Sequence, residues 1–255
     1  MILLKLIITP LLIVATTLAT RRWGHTIGGW LIGLPLTSGP VSVFLAMEQG
    51  REFAASSAHS TVNGLLGAVV FCIVYDACAK RCAWPGALAV SAVIDLLIIF
   101  LFTRVHPPLW GSVALAFAVI TLGICLLRPH EGATPPIRAP YWDLPFRMVT
   151  TTTLVVGITA FSGVLGPQLS GLLATFPVFI CVMSAFSHYL YGPAAIRMFE
   201  RGVVSGSYAY AVFFIIVILA LPAWNLFLVY SAATLGAVAT NALVYAIQKT
   251  RRAAA

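Results

Sequence analysis

Charge is what this sequence has least of. Asp and Glu together number 7 in 255 residues, and all charged residues make up 9% of the chain. Soluble domains carry about a quarter charged residues, so an ordinary water-soluble fold is excluded. Cysteine is also scarce, and its 5 copies form no ligand pattern. Cys78 and Cys82 have no His or Cys pair elsewhere to complete a zinc site, so buried free thiols are expected and no oxidising compartment is required. Gly24 to Gly29 misses the dinucleotide-binding spacing, and no strand precedes it. No phosphate loop, nucleophile arrangement or Asp/His/Glu cluster facing water is found. A membrane enzyme acting on lipid-linked substrates is therefore the weakest reading, and no enzyme, cofactor or metal is expected.

What the chain has is apolar length. Hydrophobic residues make up 60% of it, and its mean hydropathy is +0.99. The formal charge of +8 comes from 15 Lys and Arg placed between apolar runs rather than in a patch. That distribution points to a lipid bilayer as partner and not to nucleic acid. Runs at 2–20, 26–49, 53–78, 84–103, 107–127, 143–164, 167–190, 194–221 and 223–247 predict nine transmembrane helices, separated by Gly and Pro breakers. Residues 2–20 imitate a signal peptide, but Arg21 and Arg22 follow at once and a similar run recurs mid-chain, so a retained helix is expected. The segment 128–142, with four prolines, predicts an extended cytoplasmic loop.

With the N-terminus outside and the C-terminus inside, 12 of the 15 Lys and Arg fall on the cytoplasmic side. Trp23, Trp84, Trp110, Tyr141, Trp142 and Trp224 sit near span ends, as interfacial aromatics do.

The stretch 24–50 repeats at 166–192. Without gaps, 24–73 and 166–215 agree at 12 of 50 positions, among them Gly24/Gly166, Gly29/Gly171, Pro35/Pro177, Gly50/Gly192 and Gly64/Gly206. The copies begin five spans apart and so lie in opposite orientations. The expected fold class is all-α: a polytopic membrane protein of two inverted four-helix repeats, 1–105 and 143–255. Segment 106–142 links them as a fifth helix and the Pro-rich loop. Inverted repeats are a transporter hallmark, with a site near the midplane between the halves.

Residues 169–206, through Ser170-Gly171-Leu172-Leu173-Ala174-Thr175-Phe176-Pro177 and then Gly192, resemble the GlpM-like small bacterial membrane proteins. The first half is similar more weakly, through Gly29-Trp30-Leu31 and Pro35. The resemblance implies a bacterial inner-membrane protein made by fusing two such units, and it carries over no binding or catalytic residue.

Several polar groups inside the runs are site candidates. Pro35, Gly39 and Pro40 predict a helix break, with Ser38 capping a second half-helix whose N-terminus, with Thr37 beside it, would hold an ion or anionic group. The alternative is a kink satisfied by neighbours. Pro177 marks a milder counterpart in the second half. Asp95 lies mid-helix and should face the interior as a proton or cation site, or else as a structural carboxyl. His59 aligns with Arg201, and Asn63 with Ser205, so both pairs could line a common cavity; snorkelling is the alternative for His59 and Arg201.

Glu200 beside Arg201 and one turn from Arg197 suggests a local ion pair. Glu48, Gln49, Arg51, Glu52, His188 and Tyr189 read as interface residues. The hydroxyls of Thr150–Thr153 should bond back to their own helix. Patterns such as Gly29-x3-Gly33 and Gly202-x3-Gly206 predict close helix packing.

The leading expectation is a small transporter of the bacterial cytoplasmic membrane, proton-coupled through Asp95 and His59. Arg201 and the Ser38 helix end favour a small anionic substrate, and a homo-oligomer is compatible with this reading. The alternative is a non-transporting structural or accessory membrane protein of a larger complex.

Overall fold

The computed structural model describes residues 2–128, 139–162 and 176–253, and every regular element among them is an α-helix. In chain order these are α1 (Ile2–Trp23), α2 (His25–Ile32), α3 (Ser38–Glu48), α4 (Arg51–Ala79), α5 (Trp84–Arg104), α6 (Leu109–Leu126), α7 (Asp143–Ser162), α8 (Val178–Ala220) and α9 (Leu226–Ala253). Five helices are long and apolar enough to cross a membrane: α4, α5, α6, α8 and α9 over Leu226–Gln248. The protein is therefore all-helical, with the helices of a membrane protein.

The helix expected at 26–49 is two. α2 has 8 residues and α3 has 11, each well short of the roughly 20 that cross a hydrocarbon core. The repeat counterpart of α2, 167–174, lies outside the described residues, as do Gly166, Gly171 and most of the 170–177 motif, whereas that of α3, 180–190, falls within α8.

Single glycines reverse the chain. Gly24 (φ 94°, ψ 165°) precedes α2, and Gly50 (φ 94°, ψ 166°) precedes α4. Gly192 (φ 78°, ψ −177°) interrupts α8. This region of backbone space is open essentially to glycine alone. Pro193 follows Gly192, where its missing N–H costs nothing at the start of a new helical leg. α8 is thus a hairpin of two legs, 178–191 and 193–220.

α4 and α8 form the centre. Their most apolar stretches are 56% buried, against 22% for those of α5 and α6, which places the latter pair at the periphery. Leu97, Phe100 and Leu101 on α5, and Leu235, Val238 and Leu243 on α9, are exposed. Such continuous apolar exposure suits lipid rather than water. The six aromatics expected at the interfaces are exposed at or beside helix ends.

The tightest contact joins α2 to the second leg of α8. A Cβ on Gly29 would overlap the Phe199 carbonyl, and one on Gly33 would overlap the Val203 carbonyl and the Gly206 backbone. A Cβ on Gly202 would meet the Thr26 carbonyl, and one on Gly206 the Trp30 carbonyl. The small-residue spacing is therefore used for backbone-to-backbone packing, as expected. Further on, Gly39 lies under the Phe213 ring. Residues 29, 33 and 39 thus meet 199, 206 and 213 in order, so 25–48 runs parallel to the second leg of α8.

Candidate functional site

At the interrupted stretch, tight turns take up the backbone. Leu34 N–H donates to the Leu31 carbonyl, Leu36 N–H to Leu34 and Gly39 N–H to Pro35. Thr37 occupies the N-cap of α3 and makes no side-chain cap hydrogen bond. Ser38 is the first helical residue and does not cap. Its Oγ instead accepts from the Tyr210 hydroxyl at 2.9 Å. A phenol inside an apolar bundle needs a partner, and Ser38 is the hydroxyl within reach. Pro40 sits in the first turn of α3, where its missing N–H is harmless. Pro177 is the N-cap of α8.

A groove of about 570 Å³ opens between α3 and α9, lined by Val43, Phe227, Tyr230, Thr234 and Leu235 among others. It touches neither Pro35 nor Pro177. Its wall holds a hydrogen bond of 2.7 Å between Ser42 and Tyr230.

The expected common cavity for His59 and Arg201 is not formed. His59 Nε2 is 3.0 Å from Ser112 Oγ, near the start of α6. Arg201 Nη1 donates to the Ile124 carbonyl at 2.7 Å and the Leu127 carbonyl at 2.5 Å, at the end of α6. Twelve residues of helix, about 18 Å, separate those two places. Arg201 is used because a helix C-terminus leaves carbonyls without partners and favours a cation. Ser205 bonds back to the Arg201 carbonyl and accepts from Gln248 Nε2, both at 2.8 Å, which ties α9 to α8. The Asn63 side-chain oxygen is buried without a hydrogen-bond partner.

The expected ion pairs are rearranged. Arg197 binds Asp76 of α4 at 2.9 Å, and Lys80 binds the same carboxylate at 3.0 Å. Glu200 makes no salt bridge. It is fully buried and accepts from Ser184 Oγ at 2.5 Å. At the end of α1, Arg21 reaches Asp143 at 2.9 Å, and the buried Arg147 binds Asp143 at 2.7 Å. Thr151 is fully buried with no hydrogen-bond partner, so back-bonding does not describe that hydroxyl. Of the expected interface residues, Glu48, Gln49, Arg51, Glu52 and Tyr189 are exposed, but His188 turns inward against Tyr75 with ring centroids 5.8 Å apart.

Asp95 does face the interior. It is fully buried on α5, and neither carboxylate oxygen has a hydrogen-bond partner. It fits because Gly67 on α4 has no side chain; a Cβ there would strike Asp95 Oδ1. Glu200 Oε2 is likewise buried and unpartnered. Cys72 of α4 and Cys181 of α8 lie within electrostatic range of both acids. The two acids and two thiols are thus spread over α4, α5 and both legs of α8. Comparison with protein families, curated proteins and solved structures returned no match for this chain.

Two carboxyls inside a membrane bundle, neither salt-bridged, can do one kind of chemistry well: take up and release a small cation. Among the described residues no three His, Cys, Asp or Glu side chains group to hold a metal ion. Sequence reasoning missed Glu200 because Arg197 and Arg201 flank it on the same helix. The signal that could have found it is Ser184, which sits as many residues before Gly192 as Glu200 sits after it.

Proposed function

We propose that this chain is a proton-coupled transporter of the bacterial cytoplasmic membrane, with Asp95 as the proton-carrying group. The observation that carries the reading is the complete burial of Asp95 with both oxygens lacking hydrogen-bond partners. An ionised carboxylate in that position is costly, and ionisable residues in membrane helices cluster in ion pathways and proton relays. A purely structural carboxyl would be expected to hold a hydrogen-bond partner.

The wider architecture in this reading is nine spans, N-terminus outside, arranged as two inverted repeats. Gly50 and Gly192, equivalent in the repeat, share one rare backbone conformation, which supports it. So does the packing. Stretch 25–48 runs parallel to the second leg of α8, and Cys72 and Tyr75 of α4 approach Cys181 and His188 in the same sense. The GlpM-like resemblance belongs to this proposal as well. An anionic substrate is no longer favoured, because Arg201 and Ser38 are engaged with protein partners.

Proteoliposomes loaded with a pH-sensitive dye test the reading. A mixture of amino acids, sugars and carboxylates outside should drive proton entry under an imposed gradient, and Asp95→Asn should return it to the protein-free rate. Equal rates for wild type and Asp95→Asn would reject it. A second reading, an accessory membrane protein, draws on the internal bonding of Ser38, His59, Arg201 and Ser205. Proton entry at the protein-free rate in the wild type would favour that one.

A further inference from the structure

We propose that Glu200 is a second proton-binding carboxyl, loaded along Tyr75 and His188 from the end of the bundle that holds Asp76, Lys80 and Arg197. The proposal rests on the transporter reading and names the entry route to its site.

Four polar atoms on α4 and the two legs of α8 have no hydrogen-bond partner. They are Glu200 Oε2, the Tyr75 hydroxyl, Ser187 Oγ and His188 Nδ1. Glu200, Tyr75 and Ser187 are fully buried, whereas His188 retains 9% exposure. Buried polar atoms are nearly always paired, so orphans strung along one seam mark a place where partners come and go. Tyr75 is within electrostatic range of Glu200 and meets His188 edge-on at 5.8 Å. Asp76, the next residue, binds Arg197 and Lys80 near the end of α4. Lys80 is half exposed, so that end reaches the surface.

Each step moves one proton. His188 passes a proton to the Tyr75 oxygen as the phenol releases its own to Glu200 Oε2. His188 is then recharged from water at the exposed end. No oxidant or other reactant is needed.

The groups that face Glu200 can be named element by element. From α4 come Cys72, Tyr75 and Asp76. Within α8 come Ser184 and Cys181. Asp95 of α5 shares Cys72 and Cys181 with it. α6 contains no Asp, Glu, His, Lys or Arg, its one thiol being the exposed Cys125, and in α7 Asp143 and Arg147 are engaged with each other. Among the described residues, Arg197 and Lys80 are bound to Asp76, and Arg201 reaches the end of α6. No salt bridge holds Glu200 ionised, which leaves it free to take a proton.

Infrared difference spectra of the purified protein in lipid bilayers, titrated with acid and base, give the test without any transported substrate. The wild type should show two protonated-carboxyl bands. Glu200→Gln, which keeps an acceptor for Ser184, should lose one, and Asp95→Asn the other. Tyr75→Phe should retain the Glu200 band but slow its hydrogen–deuterium exchange by about a hundredfold, the lower end of what a positioned proton donor contributes. A Glu200→Gln spectrum with both bands intact overturns the proton-binding role. Exchange at the wild-type rate in both Tyr75→Phe and His188→Ala overturns the route. Either failure is separable from failure of the transporter reading, which is judged by proton flux in proteoliposomes.

Discussion

Ser184 and Glu200 lie 16 residues apart in α8, yet their side-chain oxygens are 2.5 Å from each other. In a straight helix that separation would place them about 24 Å apart. Gly192 stands midway between them, and its positive φ folds the chain back so that both residues sit at the same height on facing legs. The hydrogen bond is therefore a tertiary clasp across a hairpin.

Ser184→Ala should leave Glu200 without its one hydroxyl partner and cost about 1–3 kcal/mol. Gly192→Ala should cost a similar amount, about 1–3 kcal/mol, through backbone strain. Thermal melting of detergent-solubilised protein, followed by size-exclusion fluorescence, reads both. A change at neither position would mean that the hairpin does not depend on its clasp or its turn.

Asp95→Asn should raise the melting temperature while abolishing proton-driven uptake. An unpaired buried carboxylate is expensive, and an amide removes the charge at nearly the same volume. A loss of stability together with intact uptake would identify Asp95 as structural.

At the α2–α8 contact, Gly33→Leu and Gly206→Leu should each destabilise the protein, by about 1–3 kcal/mol or more, because the new side chain meets backbone that cannot rotate away. Gly157→Leu is the control, since among the described residues nothing lies within 4 Å of a Cβ placed there. Comparable melting temperatures for the contact variants and the control would count against tight packing.

Asp143→Asn leaves Arg147 buried beside a neutral partner and should cost about 3–5 kcal/mol. Adding Arg147→Met should recover much of that loss, since both charges then leave the interior. If the double variant melts no higher than Asp143→Asn alone, the pair's charge is not what the site depends on.

Cys82, exposed in the connection from α4 to α5, reports orientation. If the N-terminus is outside, an impermeant maleimide should label it in inverted membrane vesicles and not in intact spheroplasts. Cys72 and Cys181, both buried, should stay unlabelled in either preparation. Labelling of Cys82 in spheroplasts would reverse the topology.

The positions of the helices were readable because breakers and apolar runs act locally. Gly50, Trp84-Pro85 and Pro107-Pro108 all stand where helices begin or end. The glycine packing was readable too, since small residues spaced by four make a flat stripe on any helix. The polar partners were not, because they depend on what a neighbouring helix offers. Ser38 is a good capping residue by type, but Tyr210 claims it across 172 positions of chain. Arg201 beside Glu200 looks like a pair, yet its guanidinium is turned to the end of α6. Asp95 was legible as buried because no span hides a charge from its own hydropathy. Glu200 was not, because its flanking arginines gave it an easy local explanation.

The reversals at Gly24, Gly50 and Gly192 also bear on how the protein is made. Each joins two helices through one or two residues, so a helix emerging from the ribosome has almost no slack before its partner follows. α1 with α2, α3 with α4, and the two legs of α8 should therefore enter the bilayer pairwise, each pair hiding its polar backbone ends together. In the proposed topology the hairpins would be the units of biogenesis, and a nascent chain arrested inside one would expose a half-finished membrane element.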